Sequence, residues 1–132
     1  MIKQEYKYSD ITSKIIGCAI EVHKILGNGF QELIYQRAVA YEFELQDVHF
    51  VREYEMPVFY KDKQMGTRRA DFLVEDKVSV ELKAIIKLED VHLAQAINYL
   101  EAYNLEIGLL INFGARSLEF KRIQNKKYKI IA

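Results

Sequence analysis

The sequence predicts an α/β fold with one mixed central sheet flanked by helices, and three observations carry that expectation. Apolar residues recur at helical spacing over the first third of the chain, then alternate with polar ones through the middle. Helical spacing returns once, before two further strand-like runs, so the order is helix, helix, three strands, helix, strand, strand. The 132 residues suit a single domain over 1–132, with one core. A single proline and six glycines leave no stretch that reads as a linker.

The first helix is expected to start at Ser9 or Asp10, either of which can cap it, and to end near Leu26. Ile11, Ile15, Cys18, Ala19, Val22 and Leu26 form its apolar stripe. Gly27, Asn28 and Gly29 stop it, because glycine and asparagine tolerate left-handed backbone angles. A second helix is expected over about 31–46, with Leu33, Ile34, Ala38, Tyr41 and Leu45 facing inward. Residues 50–60 alternate like a strand, and Pro57 marks an edge or a bulge. Strands over 69–74 and 78–84 follow, joined by Glu75, Asp76 and Lys77. A helix from after Leu88 to about Asn104 leads to an apolar strand over 106–113, expected to be buried on both faces. A last strand covers 117–123.

Bulk properties narrow the function classes. Nineteen basic and nineteen acidic side chains cancel, which argues mildly against a protein that coats long duplex DNA. Basic residues cluster at Lys61, Lys63, Arg68 and Arg69, and again at Lys121, Arg122, Lys126, Lys127 and Lys129. Taken singly, each cluster reads as a solvated surface. The lone Cys18 has no internal partner and sits among apolar neighbours, as a buried structural thiol does. No apolar window approaches a membrane span and the first residues lack a signal-peptide pattern, so a cytoplasmic location is expected.

The second and third strands carry the chemistry. With Val74 opposite Val78, Ala70 faces Leu82, Asp71 faces Glu81 and Phe72 faces Val80. One face is then wholly apolar (Ala70, Phe72, Val74, Val78, Val80, Leu82), and a slip by one residue would destroy it. The other face carries Arg69, Asp71, Leu73, Ser79, Glu81 and Lys83. Asp71 and Glu81 would have β-carbons roughly 5 Å apart, and Lys83 would oppose Arg69. A divalent cation between the acids and a phosphate on the bases would relieve both like-charge pairs. Hard oxygen ligands suit Mg2+ or Mn2+. The competing reading is a solvated face whose charges pair diagonally, Asp71 with Lys83 and Glu81 with Arg69.

An acid in one strand followed by Glu-x-Lys in the next resembles the PD-(D/E)XK nuclease signature, here Arg69-Ala70-Asp71-Phe72 and Val80-Glu81-Leu82-Lys83. His92-Leu93-Ala94-Gln95-Ala96-Ile97-Asn98-Tyr99 resembles the glutamine-to-tyrosine motif of its RecB-like branch. Gly29-Phe30-Gln31-Glu32-Leu33-Ile34-Tyr35 is similar, position for position, to the signature of the small GxxExxY proteins of that superfamily. Ala70 stands where the nominal motif has proline, which removes no chemical group. The resemblance runs over nearly the whole chain and implies a restriction-endonuclease-like core.

It further implies that Asp71, Glu81 and the backbone carbonyl of Leu82 bind the metal, with Glu32 aiding the metal or its water shell. Lys83 would orient the attacking water and neutralise developing charge, Gln95 and Tyr99 would line the site from the helix, and Arg69 would support it. The residues alone also allow blander roles: a core Tyr99, a structural His92, a Glu32 favoured by its helix dipole, a capping Gly29 and a core Tyr35. The implied activity is metal-dependent hydrolysis of a nucleic-acid phosphodiester, with DNA expected before RNA. A branched-DNA resolvase is a subordinate form of it, and a non-catalytic module binding nucleic acid or protein is the alternative. A domain this small would need help to grip a long substrate, from a homodimer or a protein partner.

Overall fold

Local signals in the first 45 residues build two helices, α1 (Ser9–Leu26) and α2 (Glu32–Leu45), in a computed structural model that describes residues 7–130. Tyr8, not Ser9 or Asp10, is the cap residue of α1, and no side chain caps it. Asp10 instead lies in the first turn, where its charge suits the helix dipole. The expected stripe of α1 is correct, with Ile15, Cys18, Ala19 and Val22 buried. Gly27 closes the helix at φ 75°, donating its N–H to the His23 carbonyl.

The inward face of α2 differs from the expected one. Tyr35, Gln36, Val39, Ala40 and Phe43 are buried, whereas Leu33, Ile34, Tyr41 and Leu45 are exposed. Both sets have helical spacing, and the buried one contains Gln36, a polar residue held there by a bond described below. Gly29 has open space around it, and the left-handed angle of this turn falls on Gly27. Tyr35 is fully buried and fixes the turn: its hydroxyl donates to the Gly27 carbonyl at 2.6 Å and accepts the Phe30 N–H at 3.1 Å.

Five strands form one sheet in the order β1 (Phe50–Tyr60), β2 (Lys63–Val74), β3 (Val78–Lys83), β4 (Ile107–Asn112), β5 (Glu119–Gln124). Only β3 and β4 run parallel, as the crossover through α3 (Asp90–Tyr103) requires. Pro57 lies on the edge strand, with a register shift just after it between Val58 and Phe59. β2 starts at Lys63 and not at 69, because Lys61 and Asp62 make a tight turn in left-handed angles with no glycine to announce it. Every residue of β4 is buried, as expected of a strand covered on both faces.

The apolar face of the hairpin packs under α1 and α2. Phe72, Val74, Val78, Val80, Leu82, Leu109 and Ile111 meet Ile15, Cys18, Val39 and Phe43 there. Phe43, Phe50 and Phe72 add a trio of tilted and edge-on rings. A smaller cluster of Ala96, Leu100, Leu110 and Ile123 lies under α3 on the opposite face. Burial pushes the Cys18 thiol up to about 11, so it is an inert core residue.

The loop after β3 is strapped to the end of β4. Asn112, fully buried, accepts the N–H groups of Ile85 and Gly114 and donates to the Ile85 carbonyl and Glu119. A β-carbon on Gly114 would collide with the Ile85 carbonyl oxygen, a contact with backbone that cannot swing aside. Gly114→Ala should therefore destabilise the fold by about 1–3 kcal/mol. Urea denaturation checks this, and an unchanged midpoint would mean that the strap yields freely.

Candidate metal centre

Asp71 is where the sheet opens. The β2–β3 register is the expected one, Val74↔Val78, Leu73↔Ser79 and Phe72↔Val80, but pairing stops there. The expected direct opposition of Asp71 to Glu81, and of Arg69 to Lys83, is thus corrected. The cause is the Asp71 carboxylate itself: its Oδ2 accepts the backbone N–H of Leu82 at 2.7 Å, so a side chain holds β3 where a β2 carbonyl would otherwise lie. On the other side, Glu53 takes a left-handed φ of 53° at the one gap between the paired residues Arg52↔Phe72 and Tyr54↔Ala70. A carboxylate wedged into a sheet presents its remaining lone pairs to the gap it creates.

The acids and Lys83 nonetheless gather as a group. Glu81 is 6% exposed, and one of its oxygens, Oε1, is buried without a hydrogen-bond partner. Burial, then the charge of Asp71, pushes its carboxyl up to about 9, against a smaller opposing pull from Lys83. Asp71 is also raised by burial, although the Leu82 and Gln36 bonds and Lys83 pull it down. Glu32 lies at the exposed start of α2, and its carboxyl is raised by desolvation and by Asp71 while Lys83 lowers it. The diagonal pairing of Asp71 with Lys83 and of Glu81 with Arg69 does not occur: the ion pairs among the described residues are Lys7–Glu106, Arg69–Glu53 and Lys127–Glu101. Arg69 turns to Glu53 at 3.2 Å because it pairs across β1, opposite Glu55, and not across β3.

A relay that sequence reasoning missed orients Asp71. Gln36 Nε2 donates to Asp71 Oδ1 at 2.8 Å, and Arg52 donates to Gln36 Oε1 at 2.8 Å. The arginine fixes which end of the amide faces the acid, and a helix, an edge strand and β2 are joined by one chain of bonds. A lone glutamine among apolar residues was the only trace of it in the sequence. Gln36→Leu should leave Asp71 short of one bond and weaken divalent-cation affinity about 10- to 100-fold, the usual cost of losing such an orienting group. Manganese titration would check this, and unaltered affinity would mean that Leu82 alone holds the acid.

Helix α3 supplies the other wall. Tyr103 shares its hydroxyl between the carbonyls of Arg68 (3.0 Å) and Tyr54 (3.2 Å), pinning the helix over the hairpin. Burial and the nearby Glu81 charge push that phenol up to about 12. Tyr99 stacks on Tyr103 and lies under the Arg68 guanidinium, 4.3 Å from ring centre to carbon. Arg68 lowers the Glu81 carboxyl by its charge, which ties Tyr99 to the acid pair through a residue the sequence had placed only in a basic cluster. Gln95 is half-buried one turn before Tyr99. His92 serves the helix, its Nδ1 accepting the Glu89 N–H at 2.9 Å in a capping box.

Among the described residues no group of three or more His, Cys, Asp or Glu forms a complete ligand set. The donor set is the two carboxylates of Asp71 and Glu81. That suits a hard cation which keeps several waters and takes one or two carboxylates, as magnesium does. The orphaned Glu81 Oε1 beside a second acid is the atom such a cation would satisfy, so the residues present fit the group.

Comparison with known proteins follows the same line. The profile of the PD-(D/E)XK nuclease superfamily matches residues 9–123. The crystal structure of SSO0001 resembles the fold with a TM-score of 0.59 at 18% identity, over 89% of this chain and 59% of that one. This chain therefore spans less than two thirds of that protein's length. No curated protein matches the chain significantly.

Proposed function

Because the chain belongs to the PD-(D/E)XK nuclease superfamily, we propose that it hydrolyses nucleic-acid phosphodiesters with the help of Mg2+ or Mn2+, acting on DNA before RNA. The observation that carries this reading is the buried, unpartnered Glu81 oxygen beside Asp71, with Lys83 within reach of both charges. Asp71 and Glu81 would hold the cation with the Leu82 carbonyl, and Glu32 would steady its water shell. When bound, such a cation polarises the phosphoryl oxygen and makes a bound water acidic. Lys83 would then orient the water and offset charge growing on the phosphate. Gln95 and Tyr99 would line the substrate side, and Arg69, engaged with Glu53, would add only charge.

The motifs support the finer placement among GxxExxY proteins of the RecB-like branch. In this reading the protein works in the cytoplasm, with a second copy or a protein partner to extend its grip. Its net charge of zero favours one alternative, a non-catalytic module that binds nucleic acid or protein. The test is incubation with magnesium or manganese and a panel of single-stranded, duplex and branched DNA and RNA, with Asp71→Ala purified alongside. Cleavage by the wild type alone supports hydrolysis. Silence together with no metal binding moves the function to the module.

A further inference from the structure

Beyond the metal centre, the outer half of the β1–β2 hairpin and α3 enclose an open groove of about 370 Å³. Val58, Met65 and Arg68 line it from the hairpin, and Asn98, Tyr99 and Ala102 from the helix. At one end the Arg68 guanidinium lies over the Tyr99 ring, its carbon 4.3 Å from the ring centre. Arg68 precedes Asp71 by three residues along β2, so this end of the groove lies roughly 10 Å along the strand from the acids. Its middle is apolar, with Met65 more than half exposed. Toward the hairpin tip stand exposed Phe59 and Tyr60, Lys61 5.4 Å over the Tyr60 ring, and exposed Lys63.

We propose that this groove takes one unpaired base of a single-stranded nucleic acid, next to the phosphate presented at Asp71 and Glu81. The inference rests on the hydrolytic reading and names its substrate class. A flat cation on an aromatic ring and a thioether beside it are surfaces on which a base stacks whatever its sequence. The volume is at the low end for ligand sites, roughly 300–1,000 Å³, enough for a base with its sugar and too little for a stack of base pairs. A base inside a duplex has both faces covered and cannot enter. Lys61 and Lys63 lie where the backbone of the same strand would run on, and their charge complements its phosphates.

The experiment measures binding of labelled 15-mers by fluorescence anisotropy to the full chain in EDTA, as single-stranded DNA, single-stranded RNA and blunt duplex DNA. Ala102→Trp fills the groove from an exposed helix position, and Met65→Ala strips it from an exposed strand position. Circular dichroism confirms that both variants fold. The expected result is single strands bound at least about fivefold tighter than duplex, with both variants losing about fivefold or more of that affinity. The better of the DNA and RNA arms identifies the strand. Equal or tighter binding of duplex, or unchanged binding by both variants, overturns the groove. Cleavage assayed in parallel separates the two ideas. Selective binding with neither cleavage nor binding of either metal upholds the groove and ends the hydrolytic reading, whereas blunt-duplex cleavage indifferent to Ala102→Trp does the reverse.

Discussion

Lys83→Ala should slow phosphodiester cleavage by about 10²- to 10³-fold, the usual cost of removing one group that stabilises charge in the transition state. Its side chain has no ion pair within 4 Å among the described residues, and it acts on Asp71, Glu81 and Glu32 through charge alone. Its structural work is done by its backbone, whose carbonyl accepts the Phe113 N–H at 2.8 Å. The substitution should therefore leave circular dichroism unchanged and cost little stability. Lys83→Arg keeps the charge in a different shape and should recover some of the rate. Single-turnover cleavage at saturating magnesium separates chemistry from binding, and full activity in Lys83→Ala would end its assigned role.

Glu81→Gln should make the metal-free protein more stable above neutral pH, by about 1–3 kcal/mol, although it should abolish cleavage. The sign follows from the direction of the shift. The Glu81 carboxyl, near 4.5 when unfolded, is pushed up to about 9 in the fold. Between those values the native state holds a proton that the unfolded chain releases, so stability falls as pH rises and levels off above about 9. Asp71 and Glu32 shift in the same direction and steepen the fall. The glutamine keeps the shape and removes the titrating charge. Urea melts at several pH values in EDTA should show a flatter profile for the variant. Magnesium should stabilise the wild type at high pH and leave Glu81→Gln nearly unaffected. Identical pH profiles for the two proteins would mean that Glu81 is solvated and not buried.

These two residues were legible in the sequence because their neighbours constrain them. The alternation of Phe72, Val74, Val78 and Val80 admits one register, and that register puts Glu81 and Lys83 on the face opposite the core. Pro57 announced the edge strand, and the apolar run of β4 announced its double burial. What the sequence could not give arises where a side chain competes with backbone. Nothing local says that Asp71 will take the Leu82 amide and force β2 and β3 apart, since that choice depends on Gln36 and Arg52 arriving from elsewhere. Gln36 was missed for the same reason, because an apolar stripe drawn along α2 excludes a glutamine and so runs through the solvent-facing Ile34 and Tyr41. The Lys61-Asp62 turn carries no glycine, which hid the first six residues of β2.

The break in pairing at Asp71 also divides the sheet into regions of unequal permanence. On the core side of Asp71, β2 is held by strands on both edges; beyond it, β2 has β1 alone, with α3 braced against the pair through the Tyr103 hydroxyl. Amide protons of residues 64–69 should exchange with solvent through an opening of the arm that leaves Phe72 and Val74 closed. The wedge that readies Asp71 for a cation is then also the hinge line of that opening, so a metal bound there would slow exchange in an arm whose tip it never touches.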